Sequence, residues 1–180
     1  MIDKYNSTLV IIDCSYKYFI PSNVKNYDIV VNNIQKMIDY FMLNLQPIIF
    51  VEFGEKDKTR DEFKLRTENY QHVYTIIKYF ASGANELEQC VKYNKLPKNL
   101  HFVGVNYNQC VQATCHNFLH KNKDYKINIY RDCSNPERYN KSPYDCSGKH
   151  FFWRDIKKQH GNKLRVKNVK SSGILETKFK

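Results

Sequence analysis

The segment Phe102-Val103-Gly104-Val105-Asn106-Tyr107-Asn108-Gln109-Cys110-Val111 is the stretch that decides the fold. Its first four residues complete an apolar run that begins at Leu100, and such a run predicts a buried strand. A short polar turn follows, and Asn108 is a residue type that caps helices, so we predict a helix over residues 109–120. A strand that turns directly into a helix is typical of a parallel sheet covered by helices.

The rest of the chain repeats this alternation of strand and helix. The predicted strands are residues 8–12, 48–51, 73–77, 100–105 and 125–130, with an edge strand at 164–169. The predicted helices are residues 27–45, 82–93, 109–120 and 149–160, and residues 54–69 form a loop or a surface helix. The pattern contains no linker or repeat and predicts one α/β domain over residues 1–180. We expect a three-layer sandwich with a mostly parallel sheet of about six strands flanked by helices.

Composition and charge exclude several classes of protein and leave one open. No stretch approaches the ~18 consecutive apolar residues of a membrane span. The start, Met1-Ile2-Asp3-Lys4, lacks the apolar run of a secretory signal, so we expect a cytoplasmic protein with no membrane partner. The net charge is +11, and residues 149–180 hold ten Lys/Arg against two Asp/Glu. This basic end leaves a nucleic-acid partner open, although a solvated basic face explains it as well and no recognition motif supports it.

Motifs for the common cofactors and metals are missing from the sequence. There is no Gly-x-Gly-x-x-Gly or Walker-type loop for nucleotide phosphates, and no Gly-x-Ser-x-Gly elbow of a serine hydrolase. No two of the six cysteines form a Cys-x-x-Cys pair. His116 and His120 lie four apart on a predicted helix, but no third metal ligand is evident. We therefore expect no cofactor and no metal.

Reactive side chains follow the predicted strands, at the sheet edge where such folds bind ligands. The residues at these strand ends are Asp13, Glu52, Lys78, Asn106 to Cys110, and Asp132. A thiol at a helix start beside a lysine should have a lowered pKa, and a nearby carboxylate could accept its proton. These parts suffice for acyl transfer or amide hydrolysis, although each alone is more often structural than catalytic.

Three of these strand ends occur in the order of a known family. The segments are Leu9-Val10-Ile11-Ile12-Asp13, then Ile76-Ile77-Lys78, then Gly104-Val105 leading to Cys110-Val111 and Ala113-Thr114. The chain thereby resembles the isochorismatase-like cysteine hydrolases, the family of nicotinamidases and isochorismatases. Tyr130-Arg131-Asp132-Cys133 resembles the family's following strand and its Asp.

The resemblance implies a catalytic triad. Cys110 would attack the substrate, Asp13 would accept and return the proton, and Lys78 would stabilise the thiolate and the intermediate. It also implies a cis peptide bond between Val105 and Asn106, with the N–H groups of Asn106 and Cys110 as oxyanion donors. The implied substrate is a small molecule, an amide or a related carbonyl compound.

Departures from the family pattern shape the remaining expectations. Residues 52–69 contain no histidine where the family's nicotinamidases carry an Asp-x-His metal site, so we expect a metal-independent hydrolase. The short segment between Asp13 and Lys78 suggests a pocket that is either open or completed by a neighbouring subunit, and we expect a homo-oligomer. The candidates for lining that pocket are Tyr16, Tyr18, Phe53 and Tyr107, although packing explains each equally well.

A second interpretation is a catalytically silent family member. The family usually has a Gln and a Phe where this chain has Ser15 and Tyr18. A silent member would act as a binding or assembly protein, associated with nucleic acid through its basic C-terminal end.

Overall fold

The computed structural model describes residues 6–134 and 153–169. The strands in this part of the chain are β1 (Ser7–Ile12), β2 (Ile48–Phe53), β3 (Val73–Lys78), β4 (Asn99–Gly104), β5 (Lys126–Ser134) and β6 (Leu164–Lys167). The α-helices are α1 (Tyr27–Leu43), α2 (Asp61–Lys64), α3 (Ala84–Tyr93), α4 (Gln112–Lys121) and α5 (Trp153–His160). None of these described helices combines the length and the hydropathy that a membrane crossing requires.

The six strands form one sheet in the order β3-β2-β1-β4-β5-β6, and every neighbouring pair is parallel. The predicted α/β fold with a parallel sheet of about six strands is therefore confirmed. The chain builds outward in one direction from β1 to β3 and in the other from β4 to β6. In such sheets, ligands bind beyond the carboxyl ends of the strands where the order reverses, which here is between β1 and β4.

Both faces of the sheet are covered, and β1 shows how. Val10 and Ile12 pack into a cluster with residues of α3, α4 and α5 on one face. Leu9 and Ile11 pack into a second cluster with α1 on the other face. All six residues of β1 are buried, which is why this strand is a continuous apolar run rather than an alternating one.

Gly104 allows β1 and β4 to approach closely at the carboxyl edge of the sheet. It pairs with Ile12 in the sheet and has a φ of +114°, a conformation that side chains disfavour. A Cβ at this position would lie 2.1 Å from the carbonyl oxygen of Ile12. Only glycine therefore fits at the end of β4.

Two predicted element boundaries were wrong near that edge. Residues 107–111 form a π-helical turn before α4 begins, so Cys110 does not lie in the first turn of an α-helix. β5 continues to Ser134, so Asp132 lies inside the strand and not at its end. Both Asp132 carboxylate oxygens accept the Val169 N–H at 2.9 Å, so this side chain anchors the segment after β6.

The predicted last helix is described only in part. Its described portion is α5, from Trp153 to His160. The earlier predicted positions 149–152, like Cys146, lie outside the described residues. Residues 54–69, predicted as a loop or a surface helix, contain the short helix α2 and a following 3-10 turn.

Candidate active site

Asp13 and Lys78 form a buried ion pair at the carboxyl edge of the sheet. Lys78 Nζ lies 2.9 Å from Asp13 Oδ2, and the two side chains are 0% and 3% exposed. The ammonium also donates to the carbonyl oxygens of Phe80 at 3.1 Å and Ala81 at 3.3 Å. Its three hydrogens therefore have three oxygen acceptors, which compensates the loss of water around a buried charge.

Lys78 reaches Asp13 by crossing the end of the strand between them. β2 separates β3 from β1, and its last residue, Phe53, pairs with Lys78 in the sheet. The Phe53 ring centroid lies 4.8 Å from the ammonium, a cation–π distance. The aromatic ring thus forms one wall around the buried charge.

A loop after β3 holds the lysine in place from the other side. The Gly83 N–H donates to the Thr114 hydroxyl at 3.0 Å, and the Ser82 hydroxyl donates to the Ala113 carbonyl at 3.3 Å. A Cβ on Gly83 would lie 2.9 Å from the Cδ of Lys78, so glycine is needed beside the lysine stem. The family resemblance included Thr114 but did not identify this contact, because residues 31 apart in sequence carry no local signal for it.

The backbone and environment of Asp13 are unusual. Its φ is +52°, a left-handed conformation that is uncommon for a residue with a side chain, and its N–H donates to the Val51 carbonyl. Within the described residues, no N–H or O–H group donates to its buried Oδ1. Burial raises the pKa of this carboxyl above its usual value, and the Lys78 ammonium and the Cys110 thiol offset only part of that rise.

The Cys110 thiol is partly buried beside this ion pair. Burial and the Asp13 carboxylate raise its pKa to about 12, against the lowering effect of Lys78. The expectation of a lowered thiol pKa was therefore wrong in direction, because desolvation and a neighbouring negative charge outweigh one ammonium. The structure nevertheless brings Asp13, Lys78 and Cys110 together, since the carboxylate and the ammonium both lie close enough to the thiol to shift its pKa.

The turn between β4 and Cys110 contains a cis peptide bond and is held by backbone hydrogen bonds within the turn. The peptide bond between Val105 and Asn106 is cis, at the position that the resemblance implies. The Asn106 carbonyl accepts the N–H groups of Gln109 at 3.0 Å and Val111 at 3.2 Å. Val105 N–H donates to the Ile12 carbonyl, which ties this turn to the end of β1.

The four candidate pocket residues occupy different environments. Phe53 contacts the buried ammonium directly, and the Tyr18 ring meets Phe53 edge-on at 6.0 Å. Tyr16 is 54% exposed, and its hydroxyl accepts a backbone N–H at the start of α2. Tyr107 is buried against the ring of Trp153, 4.8 Å between centroids. Phe53 is therefore the candidate that contacts the ion pair, and Tyr18 contacts Phe53.

Glu52, the remaining strand-end acid, has a structural environment. Its carboxylate accepts the Thr59 N–H at 2.9 Å and pairs with Lys64 at 3.2 Å. Across the described residues, no three His, Cys, Asp or Glu side chains are placed to hold one metal ion. The absence of a metal in the protein itself stays a prediction.

Comparison of the sequence with protein families identifies the chain. The isochorismatase domain matches residues 7–143. The chain belongs to the isochorismatase family. No curated protein matches the sequence itself.

Solved structures of low sequence identity share the fold of this family member. N-carbamoylsarcosine amidase from Thermoplasma acidophilum is 17% identical with a TM-score of 0.68, over 91% of this chain and 96% of that one. MAR1 ribonuclease from Caenorhabditis elegans is 19% identical with a TM-score of 0.73, over 97% and 82%. A nicotinamidase from Staphylococcus aureus is 19% identical with a TM-score of 0.61, over 73% and 83%.

Proposed function

We propose that this isochorismatase family member is a metal-independent cysteine hydrolase of a small amide or a related carbonyl compound. Cys110 is the nucleophile, Asp13 the general base and acid, and Lys78 the electrostatic stabiliser. The observation that carries the proposal is the buried Asp13–Lys78 pair beside a thiol, at the strand ends where the sheet order reverses. The amidase and the nicotinamidase that share this fold support amides as the substrate class.

Asp13 is suited to accept the thiol proton. Its Oδ1 receives no N–H or O–H hydrogen bond from the described residues, so this oxygen is available to accept a proton. Burial raises the pKa of the carboxyl, and a carboxylate with a raised pKa is a stronger base. The high pKa of Cys110 means that the thiol loses its proton as it attacks and not beforehand.

The reaction proceeds in two halves. Cys110 Sγ bonds to the carbonyl carbon as its proton passes to Asp13, and the carbonyl oxygen becomes an oxyanion. Collapse of this intermediate breaks the C–N bond, and the leaving amine takes the proton from Asp13. Water then attacks the thioester while Asp13 takes one of its protons, and the departing sulfur recovers that proton. The products are a carboxylic acid and an amine.

Two groups stabilise the charges that develop. Lys78 keeps Asp13 ionised before attack and places a positive charge near the sulfur and the oxyanion. The N–H groups of Asn106 and Cys110 are the proposed oxyanion donors, as the family resemblance implies. Three Lys78 hydrogen bonds hold its ammonium in one place, so its electrostatic contribution requires little reorganisation.

The test is a panel of small primary amides and carbamoyl compounds, with ammonia release as the measurement. At least one compound should be hydrolysed, and Cys110→Ser and Asp13→Asn should each reduce kcat/KM by about a thousandfold or more. Cys90→Ser is the matched control, because Cys90 lies on α3 and is buried against the core. Intact mass measurement should detect an acyl adduct on the wild type and not on Cys110→Ser.

Two results would reject the hydrolase. Hydrolysis that survives in Cys110→Ser would place the chemistry elsewhere. A protein that binds a panel compound with no turnover and no adduct would be the silent binding protein of the alternative interpretation. Chelator treatment of the wild type completes the test, because a metal-independent reaction should not respond to it.

A further inference from the structure

A basic cavity lies at the edge of the sheet opposite Cys110. Its volume is about 380 Å³, and it opens beside the amino ends of β4, β5 and β6. The charged residues on its wall are Lys98, Asp124, Lys126, Lys163, Arg165 and Lys167. An adjoining cavity of about 440 Å³ shares Arg165 and Lys167 and adds Lys157. This volume is in the range of small-ligand sites.

The positive charges on this wall are not balanced by acids. Asp124 is the one acid among the six, and it pairs with Lys98. Lys163 donates to a backbone carbonyl, that of Lys123. No acidic side chain of the described residues forms an ion pair with Lys126, Arg165 or Lys167. Three cations are thus left to act on whatever enters the cavity.

Strand geometry concentrates two of these cations. Arg165 and Lys167 are two residues apart on β6, so both side chains leave the same face of the sheet. The alternate residue, Leu164, is buried in the core on the opposite face. Burial lowers the pKa of Lys167, and repulsion from the neighbouring Arg165 charge lowers it further. An anion between the two side chains would relieve this repulsion.

We propose that this cavity is a second ligand site, which binds a small molecule through a phosphate or pyrophosphate group. A guanidinium forms bidentate hydrogen bonds with phosphate oxygens, and ammonium groups supply further charge-assisted bonds. The volume of about 380 Å³ matches a small ligand better than an extended polymer, which requires a continuous groove. The site lies across the sheet from Cys110 and does not depend on the proposed hydrolase activity.

Calorimetric titration of the full chain at fixed ionic strength tests the proposal with inorganic pyrophosphate, ADP and DNA oligonucleotides of two lengths. Pyrophosphate or ADP should bind with a stoichiometry near one. Arg165→Gln and Lys167→Gln should each weaken that binding about tenfold or more. Lys158→Gln is the matched control, because Lys158 is an exposed α5 lysine that lines neither cavity, and its affinity should change less than about twofold.

The outcomes separate the sources of the phosphate and the competing explanations. ADP that binds about tenfold tighter than pyrophosphate identifies a nucleotide, and equal affinities identify the phosphate group alone. Equal losses of affinity in Arg165→Gln, Lys167→Gln and the control Lys158→Gln would show general charge attraction and overturn the proposed site. So would the absence of saturable binding, or an oligonucleotide affinity that rises with length and exceeds that of both small ligands. Cys110→Ser should leave binding unchanged, and Lys126→Gln replaces any variant that fails to fold.

Discussion

Lys78 and Asp13 form their ion pair across an intervening strand. Lys78 is the last residue of β3 and Asp13 directly follows β1, with β2 between the two strands. The ammonium nevertheless lies 2.9 Å from the carboxylate, and both groups are buried. The pair therefore ties the outer strand of the sheet to its centre, at the edge where the Cys110 turn is tied back to β1. Its loss should affect both stability and thiol chemistry.

The first prediction concerns stability. Asp13→Asn or Lys78→Met leaves the remaining partner buried without its counter-charge, and each should reduce the free energy of unfolding by about 3–5 kcal/mol. The double variant should lose clearly less than the sum of the two, because neither charge is then left behind. Urea denaturation gives all three values. Lys92→Met, which breaks the exposed pair with Glu88, should leave the free energy of unfolding unchanged within the error of the measurement. Additive losses at Asp13 and Lys78 would show that the pair is not coupled.

The second prediction concerns thiol reactivity. Iodoacetamide should alkylate Cys110 about tenfold faster than Cys115, because Cys110 is partly exposed and Cys115 is buried. Since the pKa of Cys110 is raised, its rate should keep rising through the alkaline range rather than level off near neutral pH. Peptide mapping after brief labelling at a series of pH values measures this. A rate that is flat above pH ~7 would indicate a thiolate and reverse our conclusion.

The third prediction gives the signs of the two neighbouring charges. Asp13→Asn removes a negative charge that disfavours the thiolate, so the pKa of Cys110 should fall and labelling at pH ~8 should accelerate. Lys78→Met removes a favourable positive charge, so labelling should slow. Asp13→Asn should at the same time abolish turnover, because the proton acceptor is lost. If Asp13→Asn changed the labelling rate and the turnover rate in the same direction, the result would argue against Asp13 as the base.

The fourth prediction compares two glycines with positive φ. Gly104→Ala places a Cβ 2.1 Å from a backbone oxygen, and Gly54→Ala places one where nothing lies within 4 Å. Gly54→Ala should cost only the left-handed strain, about 1–2 kcal/mol. Gly104→Ala should cost more than that, enough to prevent folding or to separate the ends of β1 and β4. Thermal unfolding of both variants measures the difference in stability. Equal melting temperatures would contradict the close approach of β1 and β4 at Gly104.

The fifth prediction concerns assembly. Tyr79 and Phe80 are 59% and 77% exposed and directly follow Lys78 on the edge strand β3. The expectation of a homo-oligomer places such apolar side chains in a subunit interface beside the site. Light scattering at micromolar concentration should give more than the monomer mass, and Phe80→Asp should lower it. Tyr93→Asp changes an even more exposed aromatic, on α3, and should not lower the mass. A monomeric wild type would refute this.

The positions of the candidate catalytic residues were predictable because the local sequence pattern shows where each strand ends. Val10, Ile11 and Ile12 are buried on two faces and are all apolar, so the change to Asp13 marks where the strand ends. Lys78 is the last residue of β3, where the apolar pair Ile76-Ile77 is followed by a charged side chain. Parallel strands place their carboxyl ends at one edge, so the convergence of these residues followed from the fold class. The end of β5 was missed because Arg131 and Asp132 are polar, although the strand continues through them.

The sequence by itself determined the α/β class and the strands that belong to the sheet, because apolar runs and backbone preferences act over a few neighbouring residues. Tertiary structure alone decided that Lys78 crosses β2 to reach Asp13, that Thr114 supports the loop beside it, and that Arg165 and Lys167 line a cavity. It also decided the direction of the Cys110 pKa. That direction depends on how much water and which charges surround the sulfur, and both are set by residues distant in the chain.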